Sequence, residues 1–212
     1  MDDPASRQPR RRTLREIAET LALALMIYLG VQTLVPPYGV DGASMTPNLK
    51  DGERLLVNRS VYTHFDANRI WNLLPGKDRH DPAVVFPFHR PERGEIVVLH
   101  PPDTPGKPYI KRVIGLPGDR VTFGDGFVMI NGQRLNEPYL SGPITECDVA
   151  PYCRTTVPAG MVFVLGDNRG NSSDSRWFGP VSVDRIVGKA WIANWPLDLF
   201  GVIPGVDYQS GD

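Results

Sequence analysis

Apolar and polar residues follow two different patterns along this chain. From Ile17 to Val35 the sequence is almost wholly apolar, with Glu19 the one charged residue, and the run stops at Pro36-Pro37. As a helix rising ~1.5 Å per residue it covers roughly 28 Å, close to the hydrocarbon thickness of a bilayer. The run has no polar face, so it predicts a membrane anchor rather than a buried core helix. A cleavable leader is the rival reading, but Ala22-Leu23-Ala24 lies inside the run and no Ala-x-Ala follows Val35. An uncleaved anchor is therefore expected.

Beyond Pro37 the apolar runs are short. Arg54 to Asn58, Ile96 to Leu99, Tyr109 to Ile114, Val121 to Phe123, Phe127 to Ile130, Gln133 to Leu135, Met161 to Leu165 and Ile186 to Ala193 read as strands. Asn131-Gly132 supplies a two-residue hairpin turn. No stretch after the anchor keeps a helical period. Residues 59–92, with Trp71, Phe86 and Phe88, are irregular and too long for an ordinary loop, which suggests a lid, a membrane-contacting excursion or poor order. The expected fold is mainly β: an N-terminal transmembrane helix, then a β-rich domain of short antiparallel strands with an inserted smaller β subdomain. The expected segments are 1–16 (basic, cytoplasmic), 17–35 (anchor), 36–119 with 158–200 (β-rich core), 120–157 (insert carrying a cysteine pair) and 201–212 (tail).

Composition sharpens this picture in three places. The 21 Gly and 21 Pro are scattered between apolar runs, which favours many turns and short strands. A net charge of -1 provides no overall basic field, so nucleic acid is not an expected partner. Arg7, Arg10, Arg11, Arg12 and Arg15 precede the apolar run, which puts the N-terminus in the cytoplasm and the rest outside the cytoplasmic membrane. There, the spacing of Cys147 and Cys153 favours a disulfide over two free thiols. His64, His80, His89 and His100 are scattered without ligand spacing, so neither a metal nor another cofactor is expected.

Three segments carry the candidate chemistry. Ser44 lies in Val-Asp-Gly-Ala-Ser-Met-Thr-Pro, just after the anchor. Lys111 lies in Tyr-Ile-Lys-Arg-Val-Ile, where strand alternation puts it on one face with Tyr109 and Val113, and Ile110 and Arg112 on the other. An ammonium against apolar neighbours is pushed towards its neutral form, and a neutral lysine can take a serine's proton without a histidine. The third segment, Gly166 to Arg176, is a dense polar loop after an apolar strand. A calcium loop is its rival, but Arg169 stands where the next oxygen ligand is needed.

Taken in order, Ser-Met-x-Pro, Tyr-Ile-Lys-Arg-Val-Ile-Gly-Leu-Pro-Gly-Asp and Gly-Asp-Asn-Arg-x-Asn-Ser-x-Asp-Ser-Arg resemble the bacterial type I signal peptidases. The likeness covers the anchor and most of residues 36–195; residues 59–92 fall outside it. The resemblance implies a membrane-anchored serine endopeptidase that removes signal peptides from exported preproteins. It implies Ser44 as nucleophile, Lys111 as general base, Ser172 hydrogen-bonded to the lysine, and Asp174 paired with Arg176 as scaffolding. Some members of that family place a serine hydroxyl in the oxyanion hole two residues before the nucleophile; here that position is Gly42. Alternatives are a specialised pilin or conjugation-type processing protease of the same fold, and a noncatalytic membrane-tethered binding module. A self-cleaving repressor also uses serine and lysine, but it needs a DNA-binding segment where this chain has a membrane span.

Finally, Trp191, Trp195, Leu197, Leu199 and Phe200 crowd one short region. Tryptophan favours the headgroup level of a bilayer, so membrane phospholipids are an expected partner. Core packing against the last strand is the alternative.

Overall fold

The structure is a computed structural model that describes residues 8–66, 84–102, 104, 106–140, 145–147, 151–206 and 208, with residues 8–12 described as backbone alone. It contains two compact units, Met1–Pro36 and Pro37–Asp212.

In the first unit, helix α1 (Gln8–Leu34) runs for 27 residues. It begins nine residues before Ile17, because the helix extends back into the basic stretch. Arg15 Nε donates to Glu19 Oε1 at 2.8 Å, one turn along, which supports this entry turn. The hydroxyls of Thr20 and Thr33 donate to the carbonyls of Glu16 and Leu29, so neither needs an outside partner. Pro36-Pro37 ends the helix, since proline lacks the N–H that the next turn requires. Within α1, Thr13–Leu34 is long and apolar enough to cross a membrane.

The second unit is built from β1 (Pro37–Gly39), β2 (Arg54–Asn58), β3 (Phe65–Asp66), β4 (Val84–Val85), β5 (Ile96–Leu99), β6 (Tyr109–Gly115) and β7 (Arg120–Gly124). These are followed by β8 (Phe127–Ile130), β9 (Gln133–Arg134), β10 (Arg154–Thr156), β11 (Met161–Leu165), β12 (Val181–Ser182), β13 (Ile186–Trp195) and β14 (Gly201–Val202). The main sheet has the order β1-β2-β13-β5-β6-β11-β12, with β14 added to β13. Its pairings are antiparallel, so the expected mainly β fold is the observed one. The long β13 runs two residues past the expected Ala193, pairing with both β2 and β5.

The strand that carries Lys111 is β6. It pairs with β5 along Tyr109 to Arg112, but β11 joins its other edge only from Arg112 onward. From Ile110 to Gly115 every residue is buried, so a lysine and an arginine are carried into the interior side by side. Tyr109 and Val113 belong to one apolar cluster with Val97 and Leu99, while Ile110 joins another with Val40, Met45 and Val98. That is the alternation expected of a strand covered on both faces.

The insert is a four-stranded sheet of order β10-β7-β8-β9. Asn131 and Gly132 both take positive φ, 55° and 86°, the backbone that a tight hairpin between β8 and β9 requires. The small sheet is not an independent body: Val121, Val128, Ile130, Leu135 and Val157 share a core cluster with Ile114, Phe163 and Leu165 of the main sheet. Gly115 lies at the join, where an added Cβ would come within 2.8 Å of Val121 and 2.9 Å of Phe163. The region 59–92 is only partly described. Its flanks form the β3–β4 pair, while residues 67–83, including Trp71, lie outside the described residues. The one-turn helix α2 (Ser175–Phe178) was not expected, because four residues are too few to show a period.

Cys147 and Cys153 form a disulfide with a Cα–Cα distance of 5.3 Å. Its loop is tied to α2: Arg176 Nη1 donates to the Glu146 carbonyl at 3.2 Å, and the Tyr152 N–H donates to the Arg176 carbonyl at 3.1 Å. Closing so short a loop restricts the unfolded chain modestly. The variant Cys147→Ser/Cys153→Ser is therefore expected to fold and to lose about 2 kcal/mol of stability in denaturant titration. A loss of secondary structure in its circular-dichroism spectrum would contradict this.

Candidate active site

Ser44 and Lys111 are 67 residues apart in sequence, and the fold brings Lys111 Nζ to 2.8 Å from Ser44 Oγ. Lys111 enters the interior on β6 and is 3 % exposed. Its Nζ also donates to the Ile110 carbonyl at 3.0 Å and sits 5.1 Å from the centre of the Tyr109 ring. Ser44 sits on a turn in which the Thr46 N–H bonds the Ala43 carbonyl, and buried Met45 pins the turn to the core. From the other side, Asn168 donates its N–H to the Ser44 carbonyl and its Nδ2 to the Ala43 carbonyl, both at 3.0 Å. The pair opens into a cleft of about 430 Å³ lined by Tyr38, Asp41, Met45, Tyr109 and Ile110.

Burial depresses the Lys111 pKa from 10.5 to about 8, while the carboxylates of Asp174 and Asp167 oppose the shift. Removing the ammonium from water outweighs the attraction of the two anions. Near pH 8 the lysine therefore has an available lone pair facing a serine hydroxyl, which is the requirement for proton abstraction.

The loop after β11 supplies the supporting residues. Arg176 grips Asp174 with Nε at 2.8 Å and Nη2 at 2.9 Å, and Asp174 is fully buried. Asp174 Oδ2 also accepts the Gly166 N–H at 3.1 Å, and Oδ1 accepts the Arg176 N–H that opens α2. Ser172 differs from the expectation. Its Oγ is buried without a hydrogen-bond partner, and Lys111 Nζ is directed to Ser44 and Ile110 instead. Gly166 has no room for a side chain, since an added Cβ would lie 2.2 Å from Ser172 Oγ and 2.5 Å from the Ser44 carbonyl oxygen. Gly42 takes φ +93°, and its N–H is committed to Asp51 Oδ1 at 2.8 Å. Glycine at this position thus offers neither a hydroxyl nor an uncommitted amide.

Several residues were missed by sequence reasoning. Arg112, beside the lysine, makes a two-pronged pair with Asp167 (Nε at 2.8 Å, Nη2 at 2.6 Å) and donates Nη1 to the Gly94 carbonyl at 2.7 Å. The Tyr139 ring covers its guanidinium at 4.0 Å. Asn48 links Asp167 Oδ2 to the Tyr139 carbonyl. Arg169 is buried between Glu137 and Thr145, which fastens the loop to the insert. An arginine in a strand next to a lysine is an outward sign of such a network, but its partner 55 residues away is not. The histidines also require a correction. His89, Glu92 and Glu95 gather within 4.8 Å, a grouping of residues that could hold a cation. Glu95, however, already accepts from Tyr62, the Glu92 N–H and the Lys189 ammonium.

Comparison with known proteins identifies the family of the chain. The family model described as signal peptidase, peptidase S26, matches residues 14–195. Signal peptidase I of Leptolyngbya laminosa is 33% identical over 207 residues, covering 93% of this chain and 88% of that protein. Signal peptidase I of Bacillus caldolyticus is 36% identical over 175 residues, covering 77% and 81% respectively. A solved signal peptidase I from Enterococcus faecalis is 37% identical and covers 47% of this chain and 96% of that one, with a TM-score of 0.43. A motif order that spans the chain, and relatives matched along nearly its whole length, lead to one assignment: the chain belongs to the signal peptidase family, peptidase S26, and is a hydrolase.

Proposed function

We propose that this protein is a membrane-anchored endopeptidase that removes signal peptides from exported preproteins by a Ser44/Lys111 dyad. The observation that carries the reading is the 2.8 Å separation of Lys111 Nζ and Ser44 Oγ at a buried lysine. Neutral Lys111 accepts the Ser44 proton as Oγ attacks the scissile carbonyl. The resulting ammonium returns that proton to the leaving amine as the C–N bond breaks. Lys111 then activates a water that cleaves the acyl ester and restores both residues. The backbone N–H of Ser44 is the proposed oxyanion donor, since the Gly42 amide is held by Asp51. Asp174 and Arg176 hold the loop, and no metal or cofactor takes part.

The free edge of β6 at Tyr109 to Lys111 and the outer edge of β1 both border the cleft, which suits an extended peptide adding as a strand. Such a peptide points alternate side chains at the protein. Trp191, Trp195, Leu197, Leu199 and Phe200 are all exposed, with Leu197 at 71% and Phe200 at 66%. We assign them to contact with phospholipid, rather than to the core packing weighed from sequence. Ala193 and Ile203 beneath them share a cluster with Met45, the neighbour of the nucleophile. In this reading α1 crosses the cytoplasmic membrane once, with the N-terminus inside and the catalytic domain outside.

Ser44→Ala and Lys111→Ala should each abolish cleavage of a model preprotein in detergent while keeping a folded circular-dichroism spectrum. Near-normal cleavage by either variant would sink the dyad.

Cleavage by the wild type should rise with pH through about 8 as Lys111 loses its proton. Between this folded value and the ordinary lysine value of 10.5, the unfolded chain binds more protons than the folded one, so stability rises with pH across that window. The burden of the buried ammonium is fully present below it. Lys111→Met should therefore be inactive yet more stable by about 3 kcal/mol at pH 7, with the gain fading towards pH ~10. An equal or lower stability of the Met variant at neutral pH in denaturant titration would overturn this.

Residues 36–212 alone should bind phospholipid vesicles, and Trp195→Ala/Phe200→Ala should weaken that binding severalfold in a sedimentation assay. Equal partitioning of the two proteins would return these side chains to an ordinary surface role.

A further inference from the structure

The charges around Lys111 are almost completely cancelled in pairs. On its own strand and the turn before it lie Tyr109, Lys107 and Arg112; ahead of Ser44 lies Asp41; on the loop after β11 lie Asp167, Arg169, Asp174 and Arg176. Asp41 is paired with Lys107, Asp167 with Arg112, Asp174 with Arg176, and Glu137 with Arg169. Asp167 and Asp174 are the two anions that act on the Lys111 ammonium. Each is deeply buried, and each is gripped by a guanidinium through two nitrogens. A bidentate grip fixes the opposite charge against the carboxylate, so the pair attracts a neighbouring cation less than a bare carboxylate would.

Arg112 is the more informative of the two arginines. It follows Lys111 directly in β6, yet its side chain turns to the other face, where Gly94, Asp167 and the Tyr139 ring enclose it. It does not itself line the cleft, whereas its neighbour Lys111 does, so a role in catalysis acts through Lys111. We propose that Arg112 is a positioning residue for charge: by holding Asp167 in a closed ion pair, it denies Lys111 a counter-ion and leaves the lysine able to give up its proton. This rests on the reading of Lys111 as the general base. Arg176 does the same for Asp174, which gives that pair a purpose beyond scaffolding.

The test is the acid limb of kcat against pH, from about pH 6 to about pH 10, for the full-length protein in detergent with a preprotein substrate. Arg112→Gln leaves Asp167 uncompensated and should move the limb up by about one pH unit, making cleavage at neutral pH roughly tenfold slower and largely restoring it at high pH. Asp167→Asn leaves the guanidinium uncompensated and should move the limb down. Arg112→Gln/Asp167→Asn removes both charges and should bring the limb back near the wild-type position. A purely structural role predicts lower kcat or lower stability with the limb unmoved. Coincident limbs, or single variants that shift it in the same direction, overturn the proposal. If Arg112→Gln does not fold, the direction of the Asp167→Asn limb decides: downward supports the proposal, unmoved or upward refutes it. Ser44→Ala run alongside separates the two failures. Residual cleavage there removes the dyad itself, whereas an unmoved limb with Ser44-dependent cleavage removes only the role of Arg112.

Discussion

The buried ammonium of Lys111 is the constraint around which the second unit is organised. An isolated charge in a protein interior carries a penalty of several kcal/mol, and the usual remedy is a counter-ion. Here the remedy is withheld. The strand that carries the lysine is covered on both faces, and the nearby carboxylates are already taken by arginines. What remains to Lys111 is a hydroxyl and a carbonyl, partners suited to a neutral amine as well as to an ammonium. The chain thus gives up stability at this position, where burial lowers the lysine pKa to about 8. Such a cost is tolerable only in a domain whose remaining strands are well packed, and three apolar clusters supply that packing.

The same economy explains the loop after β11. Three buried arginines, Arg112, Arg169 and Arg176, each hold a carboxylate. Removing one partner of a buried pair typically costs ~3–5 kcal/mol, because the other charge is left without compensation. The loop is therefore rigid through polar bonds where the strands are rigid through apolar contact. Its rigidity reaches Ser44 through Asn168, which bonds two consecutive carbonyls of the Ser44 turn. It reaches the insert through Arg169 to Glu137 and Thr145, and the disulfide loop through Arg176 to Glu146. The small sheet and its cysteines are thus mechanically joined to the site without lining it.

Local pattern in the sequence determined a good deal. The apolar run and its proline stop define the end of α1, because a backbone without an N–H cannot continue a helix. Alternation and short apolar runs located β2, β5, β8 and β11 at their observed bounds, and Asn131-Gly132 set the hairpin, since each feature depends on neighbours a few residues away. The motif order carried the family. The upstream start of α1 and the single turn of α2 were not legible, as charged helix formers and a four-residue helix leave no apolar period.

Only the tertiary structure decided which side chains meet. Lys111 and Ser44 were paired from sequence by motif, but their distance depends on β6 being buried on both faces beside a turn fixed by Met45 and Asn168. The bond expected from Ser172 to the lysine is not formed: Lys111 Nζ donates to the Ile110 carbonyl and Ser44, while the Ser172 hydroxyl lies against Gly166 without a partner. Arg112 reads from sequence as an ordinary strand arginine, and its meaning appears once Asp167 and Gly94 close around it. The exposure of Trp191 and Trp195 likewise follows from which face β13 turns outward where it pairs with β2 and β14, rather than from the aromatic content of the segment. Strand and helix formation are governed by short-range periodicity, whereas the partner of a charge is set by chain closure over tens of residues, which no local pattern encodes.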